Sequence, residues 1–282
     1  MPLGLRDVVD HSPFPGTPFR WRMGVRNLAV ENWLQIDDRR ALDLLEKDLL
    51  SLRHPEQTFV ARAGSEASAR EVVDLVAESL AHHGHTLRTG ARHPLDTAAR
   101  SVQEDLCLLE RDMGGDIPRW RLTAGSVCFP TRWDLRSKLG CTLTEIHAPV
   151  PGYAAQVGAH VDRFFDRMVP GALASRLNWS VVGEATRRLE PRDRQAPMVL
   201  PANPGTDLFV RIERQTLRRL VHHDAIVFGI RIHVWSLGQV AEDLPGSALA
   251  EMLDAMPLDV ARYKDLDGLR GELAKWLRNR VE

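Results

Sequence analysis

The residue type that most clearly suggests chemistry in this chain is histidine, of which there are eleven. His147 ends a short predicted helix, Thr142–His147, and one residue separates it from a Pro-Val-Pro segment that must break the helix. Rigid backbone on that side would hold the imidazole in one orientation, which suits an axial metal ligand. Alternatively, His147 only interacts with the helix dipole and the last carbonyl groups. His160 is a second candidate ligand, although a lone histidine on an apolar helix face is also typical of a hydrogen-bonded core residue.

Charged residues within two predicted β-strands are the next candidates, and strand alternation decides which of them share a face. In the segment Arg-Ile-Glu-Arg-Gln-Thr that begins at Arg211, Arg211 and Glu213 point to one face and Arg214 to the other. A carboxylate there could bind an amine or relay a proton, and an arginine could polarise bound dioxygen. The competing interpretation is a ladder of cross-strand salt bridges. In the later strand, Arg231 and His233 share a face that either lines a pocket or meets solvent.

The three cysteines, Cys107, Cys128 and Cys141, bear on both chemistry and compartment. Cys128 lies in a predicted strand and is either a thiolate metal ligand or an inert buried thiol. An odd and sparse set without Cys-x-x-Cys spacing predicts no disulfide framework and a reducing compartment. Such a set also excludes a self-contained all-cysteine iron–sulfur cluster, which requires four thiolates.

Composition excludes several other classes of protein. The chain is 44% hydrophobic and 27% charged, which is ordinary for a globular protein, and its formal net charge of -1 argues against general nucleic-acid binding. No stretch approaches the roughly 20 apolar residues of a membrane span, and the first residues lack the pattern of a signal peptide. Dinucleotide, phosphate-loop and serine-hydrolase motifs are also missing from the sequence. We therefore expect a cytoplasmic protein with no nucleic-acid or membrane partner, which does not bind a nicotinamide itself.

The periodicity of apolar residues predicts the elements that must position these side chains. The predicted elements are helices at Arg39–Leu52, Ser65–Gly84, Tyr153–Val169 and Leu266–Leu277, short helical pieces at Asp134–Leu139 and Thr142–His147, a hairpin of Leu106–Glu110 with Trp120–Phe129, and strands at Trp179–Arg188, Asp207–Arg214 and Ala225–Trp235. This order predicts an α+β fold with a PAS-like antiparallel sheet, whose helical crossover encloses a ligand pocket. The predicted parts are an N-terminal arm and helical shell (1–104), the PAS-like core (105–238) and a C-terminal helical segment (239–282), packed as one unit.

Several stretches together resemble the heme-dependent oxidative N-demethylase family, whose α subunit is a heme-binding PAS domain. They occur in the expected order and extend over most of the chain. The stretches are LTAGSVCFPTRWDLRSKLG (122–140), LTEIHAPVPGY (143–153), VDRFFDRM (161–168), NWSV (178–181) and RIERQTLRRL (211–220), with MGV (23–25), WLQIDD (33–38) and YKDL (263–266) nearer the ends.

The resemblance implies a heme b cofactor, activation of dioxygen and oxidation of a small amine with release of formaldehyde. It also implies that electrons come from NADPH through partner reductase subunits bearing FMN and a [2Fe–2S] cluster. The cysteine count agrees, because this chain cannot hold such a cluster alone. The alternative function is a heme-based gas or redox sensor, or a heme-binding protein, on the same PAS-like scaffold.

The resemblance also implies site residues. His147, within IHAPVPGY, is expected to be the proximal iron ligand, with Tyr153 of the same stretch at the cofactor. His160 lies outside the family stretches and is the second choice of ligand. Glu213 and Arg214 are expected to be catalytic. Arg211, which shares the strand face of Glu213, is the alternative to Arg214 as the arginine at the heme. Arg231 and His233 lie outside these stretches, and they are expected to be catalytic because they share one face of the last predicted strand.

Overall fold

The computed structural model describes residue 5 and residues 19–115, 118–191, 198–243 and 246–280. Within these residues the core is a seven-stranded antiparallel sheet of strand order β1-β5-β6-β7-β3-β4-β2. The strands are β1 (Arg26–Asn27), β2 (Phe59–Ala61), β3 (Asp105–Asp112), β4 (Arg119–Ser126), β5 (Leu173–Val182), β6 (Phe209–Arg219) and β7 (Ala225–Ser236). The α-helices are α1 (Arg40–Arg53), α2 (Pro55–Thr58), α3 (Glu66–His82), α4 (Pro94–Ala99), α5 (Leu143–Ile146), α6 (Ala159–Arg167), α7 (Pro204–Asp207), α8 (Leu237–Asp243), α9 (Gly246–Ala255), α10 (Leu258–Tyr263) and α11 (Arg270–Arg278).

The predicted α+β class is confirmed. The β3–β4 hairpin is followed by short helices and then by three long strands, each of which pairs with the next in an antiparallel manner. Alternation in these strands sends successive side chains to opposite faces of the sheet. Glu213 of β6 pairs with Asn178 of β5 and Ile232 of β7, so these three side chains share one face.

The face that carries Glu213 is covered by the segment between β4 and β5, and we call it the crossover face. The crossover contains α5, a π-helical turn (Ala154–Gly158) and α6. Phe165 of α6 and Leu143 of α5 pack in one cluster with Leu217 of β6. These apolar contacts hold the crossover on the sheet.

The opposite face, which we call the shell face, is covered from both ends of the chain. Near β3, Val72 and Val76 of α3 pack with Leu106 and Val227. At the other end of the sheet, the C-terminal helices form a second cluster with residues of β6, such as Ile212. No helix among the described residues combines the length and the hydropathy that are needed to cross a lipid bilayer.

The clearest differences between predicted and observed elements concern one helix and two strands. The predicted helix Tyr153–Val169 starts with the π-helical turn, which follows the bend at Gly152, where φ is +72°. Its α-helical part ends at Arg167, because the chain then leaves for β5. The predicted strand Trp179–Arg188 lies too late by six residues at each end, since β5 is Leu173–Val182. The predicted strand Asp207–Arg214 stops too early, since β6 continues to Arg219. Both strands carry polar residues on the crossover face, which weakens the apolar alternation.

The N-terminal part of the chain adds a strand to the sheet. From the predicted N-terminal arm, β1 pairs with the start of β5, while residues 1–4 and 6–18 lie outside the described residues. The same is true of residues 192–197 within the predicted Pro-rich loop. The predicted helix Arg39–Leu52 is observed as α1, and Leu266–Leu277 as α11 with a later start. The domain boundaries stay a prediction.

Candidate functional site

His147 lies at the carboxyl end of α5, in the crossover. Thr142 and Glu145 form a capping box that starts this single-turn helix, and His147 is its C-cap. The His147 Nδ1–H donates to the carbonyl oxygen of Leu143 at 2.8 Å. Because a carbonyl oxygen only accepts, this bond places the proton of the neutral ring on Nδ1 and leaves the lone pair on Nε2.

The surroundings of His147 fix its ring and favour its neutral form. The imidazole stacks on the ring of Tyr153, with 4.4 Å between the ring centroids and 8° between the planes. Burial lowers the pKa of His147, the hydrogen bond to the Leu143 carbonyl opposes this, and the nearby cation of Arg176 lowers the pKa again. A neutral, oriented imidazole results.

Tyr153 itself is buried below this ring. Its position follows from the Pro-Gly turn at 151–152, after which Tyr153 starts the π-helical turn. Burial raises the pKa of Tyr153 to about 12, so the side chain stays a phenol. Among the described residues the Tyr153 hydroxyl has no hydrogen-bond partner, which is costly for a buried donor.

Glu213 is the central carboxylate of the crossover face. Its Oε1 accepts a hydrogen bond from the Thr131 hydroxyl, and its Oε2 accepts from Gln215 Nε2 at 2.8 Å and Asn178 Nδ2 at 3.2 Å. Arg211 Nε lies 3.9 Å from Oε1. Burial alone would raise the pKa of Glu213, but Arg211 and these hydrogen bonds outweigh it and hold the pKa below its usual range. The group is therefore an ionised carboxylate at neutral pH.

Arg211 connects this carboxylate to the crossover. Its side chain is fully buried, and its guanidinium donates to Thr131 Oγ1 at 2.9 Å, to the Arg187 carbonyl at 2.6 Å and to the Phe129 carbonyl at 2.8 Å. The Arg211–Glu213 pair thus fixes the loop after β4 against β6. Of the two arginines that the sequence left as alternatives, Arg211 shares the face of Glu213.

Two further cations near Glu213 were not singled out from the sequence. Arg176 of β5 lies on the crossover face and donates from Nη1 to Gln215 Oε1 at 3.2 Å. Lys264, directly after α10, donates from Nζ to the Trp179 carbonyl at 2.6 Å and lies 5.1 Å from the centre of that indole ring. Burial is the main reason why the pKa of Lys264 falls to about 8. The only sequence signal was that Lys264 lies within the YKDL stretch and that Arg176 precedes NWSV.

The sequence profile of one protein family matches residues 82–274, which is more than half of the chain. The profile is that of the haem-dependent oxidative N-demethylase, alpha subunit-like family. The chain belongs to this family. The suspected resemblance is confirmed, and the match includes the crossover, β5 to β7 and most of the C-terminal helices. The family name describes a heme-dependent oxidative enzyme and one subunit of an assembly.

Residues of the crossover, together with Arg176 on the crossover face, fit a heme of the kind that the family name requires. Among the described residues, His147 Nε2 makes no hydrogen bond, while its Nδ1 is held by a backbone carbonyl, which is the usual arrangement of a ligating histidine. The Tyr153 hydroxyl and Arg176 Nε are buried donors without partners in the same part of the chain. No cluster of three or more His, Cys, Asp or Glu side chains suited to a metal ion occurs in the described ranges, and an axial ligand to heme needs none.

Three of the residues predicted to be catalytic lie on the shell face, away from His147 and Glu213. Arg214 donates to the backbone carbonyls of Trp33, at 3.1 Å, and Asn32, at 2.5 Å. Arg231 forms ion pairs with Asp37 at 2.9 Å and Asp43 at 3.0 Å. His233 Nε2 lies 2.9 Å from Gln35 Oε1. These contacts join β6 and β7 to residues 32–43 of the N-terminal shell.

The remaining ligand candidates have different surroundings from His147. His160 is exposed on α6. Cys128 is buried, and burial raises the pKa of its thiol to about 12, with Ser51 Oγ 3.8 Å from its Sγ. Such a thiol is inert at neutral pH. One surface cleft lies between residues 40–48 and residues 84–88, and another lies around Arg121 and Cys141. Neither cleft includes His147 or Glu213.

Proposed function

We propose that this protein is a heme-dependent monooxygenase that removes a methyl group from a small amine. The observation that carries the proposal is the setting of His147 in a chain that matches this family. Its Nδ1 is bonded to the Leu143 carbonyl, its ring is stacked on Tyr153, and its Nε2 is left to bind iron. On this proposal the antiparallel sheet is a PAS-like core, and the crossover face is the wall of the heme pocket.

Heme supplies the redox chemistry with dioxygen, and the chain supplies orientation and fixed charges. The Arg211–Glu213 pair is held by hydrogen bonds before any ligand arrives, so its dipole needs no reorganisation during reaction. Glu213 is an ionised carboxylate facing the crossover, and we propose that the Arg211–Glu213 pair helps to orient the substrate amine. In the overall reaction one oxygen atom of dioxygen ends in formaldehyde and the other in water, while NADPH supplies two electrons.

Electrons must come from outside this chain. Its three cysteines are free, and two of them, Cys107 and Cys128, are buried thiols whose pKa is raised by burial. Three thiols cannot hold a [2Fe–2S] cluster of the all-cysteine type. We propose that a partner reductase carries this cluster, FMN and the NADPH site. Free thiols are also typical of a reducing compartment, and we propose the cytoplasm.

The first test is the heme content of the purified protein and two single variants. We expect the wild-type protein to bind heme in a ratio near one, with a Soret band that shifts when imidazole or cyanide is added. His147→Ala should lose heme or shift the Soret band, whereas His160→Ala, an exposed histidine of the same crossover, should match the wild type. An unchanged spectrum and heme content in His147→Ala would overturn the assignment of the ligand.

The second test separates an enzyme from a sensor. The reduced protein is mixed with oxygenated buffer in a stopped-flow instrument, with and without a secondary or tertiary methylamine. Decay that is faster with the amine and is accompanied by formaldehyde supports the monooxygenase. A stable oxygen complex that no amine affects would contradict it and favour a gas or redox sensor on the same scaffold.

A further inference from the structure

Arg176 is a half-buried cation with most of its donors unused. It lies on the crossover face of β5, opposite Gln215 of β6, and its one hydrogen bond among the described residues goes from Nη1 to the Gln215 side chain. Its Nε is buried without a hydrogen-bond partner. A guanidinium carries five N–H donors in a planar fork that matches a carboxylate, so this side chain can bind one in a bidentate manner.

Lys264 is a second cation beside it with unused donors. Its Nζ donates to the Trp179 carbonyl of β5 at 2.6 Å and contacts the face of the same indole. An ammonium group has three N–H donors, and no ion pair engages the other two within the described ranges. Electrostatic interactions link Lys264 to both Arg176 and Glu213, which places the three groups in one neighbourhood.

Glu213 is the carboxylate that interacts electrostatically with both cations, and other groups already bind it. Glu213 is neutralised by Arg211 and accepts hydrogen bonds from Thr131, Asn178 and Gln215. Arg176 and Lys264 form no ion pair with a carboxylate among the described residues, and their printed hydrogen bonds go to an amide oxygen and a backbone carbonyl. Charges held partly away from water without an ion-pair partner are costly, so two such cations are typical of a site that takes an anionic ligand.

We propose that Arg176 and Lys264 form a carboxylate-binding subsite at the edge of β5 beside Glu213. The Tyr153 hydroxyl, a buried donor without a partner among the described residues, interacts electrostatically with Arg176 and can add a neutral donor. Within the proposed function, two ligands can bring carboxylates here: the heme, through its propionates, or an N-methylated amino acid substrate, through its α-carboxylate.

The test uses the full-length chain and compares ligands that differ only in a carboxylate. Heme-free protein is titrated with ferric heme and with ferric heme dimethyl ester. Heme-loaded protein is titrated with N-methylglycine and with dimethylamine. The Soret band reports binding in both titrations. The variants are Arg176→Met and Lys264→Met, and the matched controls are two exposed cations, Arg163→Met and Lys275→Met. Ratios of Kd are taken within each variant, so a partial loss of folded protein cancels.

We expect the wild type and both controls to prefer the carboxylate-bearing ligand of one pair by about tenfold or more, and both variants to lose most of that preference. Loss of the porphyrin ratio assigns the subsite to the propionates, and loss of the amine ratio assigns it to the substrate. Ratios that are unchanged in both variants overturn the proposal.

Failure of the proposed function gives a different result. If neither porphyrin binds the wild-type chain, the heme assignment fails, and the subsite is then tested by calorimetry of the heme-free chain with N-methylglycine. Binding that Arg176→Met abolishes supports the subsite, and no binding to the wild type overturns it.

Discussion

Arg231 was expected to be catalytic, and its position on the shell face gives a sharp prediction for Arg231→Met. The guanidinium forms two ion pairs, at 2.9 Å with Asp37 and at 3.0 Å with Asp43, and all three side chains are at most 5% exposed. Removing one partner of a buried ion pair costs about 3–5 kcal/mol, because the remaining charge is left uncompensated. Asp43 keeps an ion pair with Arg187 at 2.9 Å, and Gln103 donates to both carboxylates. We therefore expect the lower end of this range, about 3 kcal/mol.

The assay is thermal unfolding together with heme titration. A loss of about 3 kcal/mol corresponds to a fall in Tm of about 6–12 °C at roughly 2–4 °C per kcal/mol. Because Arg231 points away from His147, the Kd for heme of the folded protein should stay within about twofold of the wild type, well below the tenfold that 1.4 kcal/mol would give. The control is the exposed Arg163→Met, which should change neither quantity. An unchanged Tm with heme binding or turnover lost would refute the structural role and restore Arg231 as a site residue.

Two further predictions concern pH and the turn before Tyr153. The pKa of Lys264 is lowered from 10.5 to about 8, so carboxylate binding at the proposed subsite should weaken as pH rises through about 8, whereas in Lys264→Met it should stay flat. The sign for folding is opposite: between pH 8 and 10.5 the unfolded chain binds more protons at this lysine, so its contribution to the free energy of unfolding rises with pH in that window. Gly152→Ala should destabilise the fold by about 1–2 kcal/mol, because φ is +72° and the new Cβ would lie 3.2 Å from Trp21 Nε1. Gly183→Ala, whose Cβ would meet no atom within 4 Å, is the control, and equal urea midpoints for the two variants would contradict the prediction.

Much of the fold follows from apolar periodicity in single elements. α1 and β7 agree with their predicted bounds to within one residue, because each has one consistently apolar face. β5 was displaced and β6 truncated in the prediction, because polar residues such as Asn178 and Gln215 interrupt the alternation on the crossover face. The hydrogen bond from Asn178 to Glu213 crosses from β5 to β6, and local pattern in a single sequence does not encode such pairing, whereas Gln215 lies on the same strand as Glu213.

In the candidate site, too, local pattern predicts some features, while others depend on contacts between distant parts of the chain. Strand parity separates Arg214 from Glu213, but parity alone does not say which face the crossover covers, so the sequence left Arg211 and Arg214 as alternatives. Arg231 and His233 carry the residue types of a site, yet they bind residues 35–43, nearly two hundred residues earlier in the chain. Lys264 interacts electrostatically with Glu213 only because the C-terminal segment packs against β5. Contacts of this range depend on the tertiary fold and escape local pattern.

The central claim, that His147 binds heme iron through Nε2, is tested most directly by resonance Raman spectra of the ferrous protein. The account predicts an iron–histidine stretching band in the wild type and in His160→Ala. The band should disappear in His147→Gly and return, at a shifted frequency, when imidazole is added to that variant. A band that persists unchanged in His147→Gly without imidazole would contradict the claim.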